Sequence, residues 1–180
     1  MTASTHQFIR AALDEIRHSA HANAGFTICL AGAAAASLGQ ACVSISSGSA
    51  ERLSAIVLAL AQWADDDLTA LNQWLELREQ GREEEGQAIL ISGPMEIAGL
   101  ACEGAEILQQ FRPRVIEQVR DDMEFALHLL AATARASLML VESNLRQWRA
   151  PSLHARFGPE VERLTRRIEA LQPLKHIEWT

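Results

Sequence analysis

Apolar side chains recur at three- and four-residue spacing along almost the whole chain, and no segment of convincing two-residue alternation or internal repeat interrupts them. Phe8, Ile9, Ala12, Leu13 and Ile16 form the first stripe and predict a helix from roughly Thr5 to Ala20. From Ala22 to Ala50 no charged side chain occurs, and the centre, Leu30 to Gly39, is Ala, Gly and Ser apart from Leu30 and Leu38. Gly32, Ala36 and Gln40 lie four apart on one face, where small side chains let neighbouring backbones approach closely. This stretch reads as a buried central helix. Asn23 and Gln40 interrupt it and no Lys or Arg flanks its start, which argues against a membrane span.

The pattern continues in a third helix, with Ser49 as N-cap, through Ile56, Leu60, Trp63, Leu71 and Trp74 to Gln80. The charged segment Gly81 to Gly86 reads as a solvated turn or loop. Pro94 opens a fourth helix after Ser92, and Pro113 closes it near Arg112. A long fifth helix runs from Arg114 to Arg149 ahead of Pro151. A last one, about Pro159 to Leu171, packs Val161, Leu164, Ile168 and Leu171 and ends before Pro173. About five or six helices account for the chain, so the expected fold is an all-α, single-domain helical bundle spanning residues 1–180.

Composition narrows the function. At 180 residues the chain is long enough to bury a core as one domain. A net charge of −7 with 16 basic residues gives no global attraction for nucleic acid or acidic lipid. Cys29, Cys42 and Cys102 stand among apolar or small residues without CxxC pairing, so they read as buried thiols in a reducing compartment, and no metal site is expected. The start of the chain, Met1 to His6, has neither the basic leader nor the apolar run of a signal peptide. The expected location is cytoplasmic.

The order of landmarks resembles the cyclodeaminase/cyclohydrolase family, the helical folate enzymes that include the C-terminal domain of formiminotransferase-cyclodeaminase and methenyltetrahydrofolate cyclohydrolases of the same fold. The likeness covers roughly Phe8 to Trp148. The family's small-residue helix is matched by Leu30-Ala31-Gly32 and the alanines after it. Its Asp-x-x-Ala-Phe signature is matched by Asp67, Ala70 and Leu71, and its Pro-Leu helix by Pro94-Met95-Glu96-Ile97-Ala98. Counting back the family's spacing from Asn144-Leu145 places its Ser-Asp at Asp121-Asp122. Three features depart from the family. The Pro-Gly-Gly-Gly-Ser turn becomes Ala22-Asn23-Ala24-Gly25-Phe26, the Asn-Val-x-Ile-Asn motif begins with Leu140, and Gly48-Ser49-Ala50-Glu51 replaces a lysine-rich patch.

The resemblance implies ring opening or closure at one carbon between two pterin nitrogens, by expulsion of ammonia from a formimino group or addition of water to a methenyl bridge. It implies a tetrahydrofolate derivative as substrate and no bound cofactor. Such chemistry needs a carboxylate whose pKa burial or neighbouring charge has lifted toward neutrality. Asp122, with Asp121 beside it and Glu124 nearby, is the first candidate for catalysis, and Asp67, next to Asp65 and Asp66, is the second. Gly25, Asn144, Asp121, Arg112 and Arg114 are the candidate substrate contacts, the two arginines as receivers of a carboxylate. His128 falls on an apolar stretch and off the Asp122 face, so it reads as a packed histidine. Trp63 and Trp74 return to nearly one face after three turns and read as core or interface packing. An exposed small-residue or Trp-bearing face suits self-association, so a homodimer is expected. Loss of the glycine turn and lysines keeps two other functions open: a catalytically silent pterin- or ligand-binding relative, and a structural helical partner for another protein.

Overall fold

The computed structural model describes residues 5–18 and 23–177. Met1 to Ser4, where a leader would begin, lie outside the described residues, as do the side chains of Thr5, His6, Phe8 and Ile9. Six α-helices follow in order: α1 (Thr5–His18), α2 (Ala24–Ile45), α3 (Glu51–Glu79), α4 (Glu83–Phe111), α5 (Arg120–Trp148) and α6 (Pro151–Glu169). No strand occurs among the described residues.

The small-residue helix sits where its composition places it. α2 packs between α3 and α5 and touches α4 behind it. It buries Gly25, Cys29, Gly32, Ala36, Gly39 and Val43, a three-and-four spacing that lines one face. The core they enter is closed by Leu53, Ile56 and Leu60 from α3, Ile91 and Leu108 from α4, and Met123, Leu127 and Leu130 from α5. Removing such side chains from water is the main favourable term in holding the bundle together. All three cysteines are free and buried. Where α3 meets α4, a Cβ on Gly86 would stand 3.0 Å from the Trp74 Cα, so only glycine admits this crossing.

Three helical stretches, Ala24–Ile45, Glu83–Arg114 and Glu117–Trp148, are long and apolar enough to cross a membrane by length and composition. The latter two bury 61% and 56% of their apolar windows against other helices, whereas α2 buries 39%. α2 therefore leaves Ala31, Ala34, Ser37, Ala41 and Ile45 on the surface.

Several expected boundaries shift, each for a physical reason. α3 is preceded by Ala50 at the cap position, with no capping side chain, so Ser49 does not cap it. The chain turns at Gln80, Gly81 and Arg82 alone. Glu83, Glu84 and Glu85 form the first turn of α4, where the helix dipole favours acids and Arg82 pairs with Glu85 at 2.6 Å. α4 passes through Pro94 unbroken. After it come two short 3-10 turns, Arg112–Arg114 and Glu117–Val119. Val115 and Ile116 between them are extended, which delays α5 to Arg120. α6 begins at Pro151, a first-turn position that needs no N–H, and contains Pro159 on an exposed face where the freed Ala155 carbonyl can meet water.

Candidate functional site

Pro94 shapes the interior of the bundle. A proline within a helix offers no N–H to the carbonyl four residues earlier, here that of Leu90. Asn144 on α5 repairs the gap, its Nδ2 donating to the Leu90 oxygen at 3.0 Å. Ser137, two turns earlier on α5, donates its hydroxyl to the Pro94 oxygen at 2.7 Å. The two helices are thus stitched on either side of the proline, and the Asn144 amide is held with Nδ2 toward α4. We expect Asn144→Ala to leave a half-buried carbonyl unpaired at about 1–3 kcal/mol. In a Pro94→Ala background, where an N–H is restored to Leu90, the same change should cost much less, a coupling that a double-mutant cycle by chemical denaturation measures directly.

Beside this stitch lies a cleft of about 230 Å³, lined among others by Asn23, Gly25, Trp63, Asp67, Pro94 and Asn144. Asp67 provides its charge. A Cβ on Gly25 would stand 2.1 Å from the Asp67 Oδ1, so the carboxylate lies against the first turn of α2 and requires glycine there. The Phe26 N–H donates to it, which makes Asp67 the acceptor for a helix end that lacks a side-chain cap of its own. Burial pushes the Asp67 carboxyl up from the ordinary carboxylate range, and the Phe26 hydrogen bond opposes part of that rise. One turn along α2, Cys29 is buried, and its thiol is pushed up to about 12 by desolvation and by the Asp67 charge. It stays protonated and unreactive at neutral pH.

The seven sequence candidates divide into two groups. Gly25, Asp67 and Asn144 meet in this cleft. Asp121 and Asp122 are exposed in the first turn of α5. Burial, and then the Asp122 charge, push the Cys42 thiol up, which places Asp122 at the C-terminal end of α2. Gly25 and Cys42 are separated by roughly 25 Å of helix. Arg112 pairs with Glu124 through two contacts of 2.5 and 2.9 Å and donates to the Gln172 oxygen at 2.8 Å. Arg114 stacks over the Phe111 ring at 4.5 Å. Both arginines are thus engaged by protein groups. His128 is exposed, and its ring meets the Leu174 carbonyl, tying down the tail rather than packing in the core.

Trp63, read from the sequence as packing, is a wall of the cleft, lying against Gly93 with its ring 3.1 Å from where a Cβ would stand. Its position four residues before Asp67 was the available signal, since i and i+4 share a helix face. Trp74 tilts against Trp148 at 6.4 Å, away from the cleft lining. A larger groove of about 550 Å³ between α1, α2 and α3 is walled mainly by alanines, with Glu15 and Asp65 as its ionisable groups. Among the described residues it lacks the convergent polar groups that fix a ligand's orientation.

No family profile and no curated protein sequence matches the chain. The crystal structure of formiminotetrahydrofolate cyclodeaminase from Thermotoga maritima superposes with a TM-score of 0.79 at 16% identity, over 94% of this chain and 91% of that one. That agrees with the fold implied by the sequence resemblance. The chain has the all-α fold of that cyclodeaminase.

Proposed function

We propose that the chain is a one-carbon enzyme of cyclodeaminase or cyclohydrolase type, acting in the cleft between α2, α3, α4 and α5 on a folate-like substrate, with Asp67 as the proton-transfer residue. The observation that carries this is a half-buried carboxyl of raised pKa facing a tryptophan-walled cleft, within a fold shared with a formiminotetrahydrofolate cyclodeaminase. In the cyclodeaminase direction the arylamine N–H outside the pterin ring adds to the formimino C=N, and the C–NH₂ bond of the resulting aminal then breaks. Asp67 takes the proton from the attacking nitrogen and returns it to the leaving one, so that ammonia departs. In the hydrolytic direction it takes a proton from water adding to the methenyl carbon and delivers it to the ring nitrogen whose bond breaks. The carboxyl's raised pKa suits both transfers. Asn144 Oδ1 and the Trp63 face would orient the ring. Asp122, exposed and at the other end of α2, then serves as a favourable first-turn charge. The experiment is hydrolysis of 5,10-methenyltetrahydrofolate and ammonia release from the 5-formimino compound, by wild type, Asp67→Asn and Asp122→Asn. Turnover lost in the second variant and kept in the first would return the catalytic role to Asp122.

The protein is proposed to work in the cytoplasm as a homodimer. The exposed Ala31, Ala34, Ser37, Ala41 and Ile45 of α2 present an uncharged strip, and the adjoining α5 exposes Phe125, Leu129 and Met139. Such faces suit isologous pairing. Light scattering should give twice the chain mass, and Ala34→Glu with Leu129→Glu should halve it.

A further inference from the structure

The cleft is shaped for one electrostatic class of ligand. An anionic ligand would look for the free N–H groups at the start of α2, as anions do at helix N-termini. There the Asp67 carboxylate already lies against Gly25 and accepts from Phe26. Asp67 therefore takes the anion's place and repels a second one. No Lys, Arg or His lines the cleft among the described residues. Asn144, the other polar group from across the cleft, has its Nδ2 committed to Leu90, which leaves Oδ1 as an acceptor. Asn23 also lines the cleft, with its Nδ2 donating to the Glu15 carbonyl at 3.4 Å. Asp67 and Asn144 thus offer acceptors on two opposed helices, between the Trp63 ring and the apolar side chains of Pro94, Ile97 and Leu140. Pockets for drug-sized ligands measure roughly 300–1,000 Å³. At about 230 Å³ this cleft encloses a small flat group, and a long tail would lie outside it.

We propose that the cleft selects a flat, neutral or cationic N–C–N group with two N–H donors, such as an amidine, and rejects ligands that carry anionic substituents. A carboxylate receives such a pair of donors through two parallel hydrogen bonds, and the indole face covers the plane of the group. This rests on the proposed site and names its substrate class: a formimino compound without a glutamate tail rather than a polyglutamylated folate.

Benzamidine and benzoate, equal in shape and opposite in charge, test the proposal in the wild-type protein without any variant, by calorimetric titration and thermal shift. Benzamidine should bind and benzoate should bind at least tenfold more weakly. Pterin should bind at least as tightly as pteroylpentaglutamate. Asp67→Asn, shown to be folded by circular dichroism, should lose benzamidine affinity by tenfold or more. Benzoate binding that equals that of benzamidine, a pentaglutamate bound tenfold tighter than pterin, or no binding of benzamidine at millimolar concentration would each overturn the inference. Asp67-dependent turnover that rises with glutamate number would overturn it while leaving the proposed activity standing. Benzamidine selectivity without any folate turnover would do the reverse.

Discussion

Asp67→Asn is expected to remove turnover by about a hundredfold or more, the usual size of an acid–base contribution, while making the protein harder to unfold at neutral pH. The two effects have one cause. Burial raises the Asp67 carboxyl above its value in the unfolded chain. A group of this kind favours the folded state below its unfolded pKa and loses that contribution as pH rises through its folded pKa. At pH 7 the ionised carboxylate is therefore held against its solvation preference, and asparagine keeps an acceptor for the Phe26 N–H without the charge. For a chain of this size each kcal/mol recovered is about 2–4 °C in Tm. The gain should vanish at acid pH, where the wild-type carboxyl is protonated. If Asp67 were only a cap for α2, the variant would instead lose stability and leave kcat unchanged, which parallel calorimetric and kinetic measurements would show.

Arg112→Ala should produce the largest loss of stability. Its partner Glu124 is 1% exposed, and the Leu174 N–H at 3.3 Å is the remaining hydrogen bond that its carboxylate accepts. Removing one partner of a buried pair leaves an uncompensated charge and costs about 3–5 kcal/mol. That corresponds to roughly 10 °C in Tm. The double change Arg112→Leu with Glu124→Leu should recover most of the loss, because apolar replacement of both partners also removes the desolvation penalty. Turnover of the surviving folded protein should be unaffected. A selective rise in KM with stability intact would instead give Arg112 the substrate contact that the family resemblance implied.

The bundle was legible because its apolar spacing is helical almost throughout and its smallest residues gather in α2, where four helices crowd together. The starts of α4 and α6 were not, because sequence rules read an internal proline as a boundary. Asn144 compensates Pro94 from another helix, and Pro159 lies where water can do so; neither partner is visible from local sequence. Of the site, Gly25, Asp67 and Asn144 came from motif order and converge in the cleft. Asp122 and Asn144 lie on one helix, about 33 Å apart at the ordinary rise per residue, so a single cleft could not contain both. That separation follows from residue numbers and helix geometry alone. The engagement of Arg112 by Glu124 does not, since it depends on how the 3-10 turns after α4 fold back toward α5.

The contact between Gly25 and Asp67 also sets an order on how this chain can change. Any side chain gained at position 25 while Asp67 remains forces Cβ into the carboxylate, with the overlap borne by the first turn of the central helix. Loss of the carboxylate first, by exchange for glycine or alanine at position 67, opens that space and makes position 25 permissive. Change away from the present pairing is therefore directional: it passes through position 67 before position 25, and a Cβ fixed at position 25 in turn disfavours the return of a carboxylate at position 67.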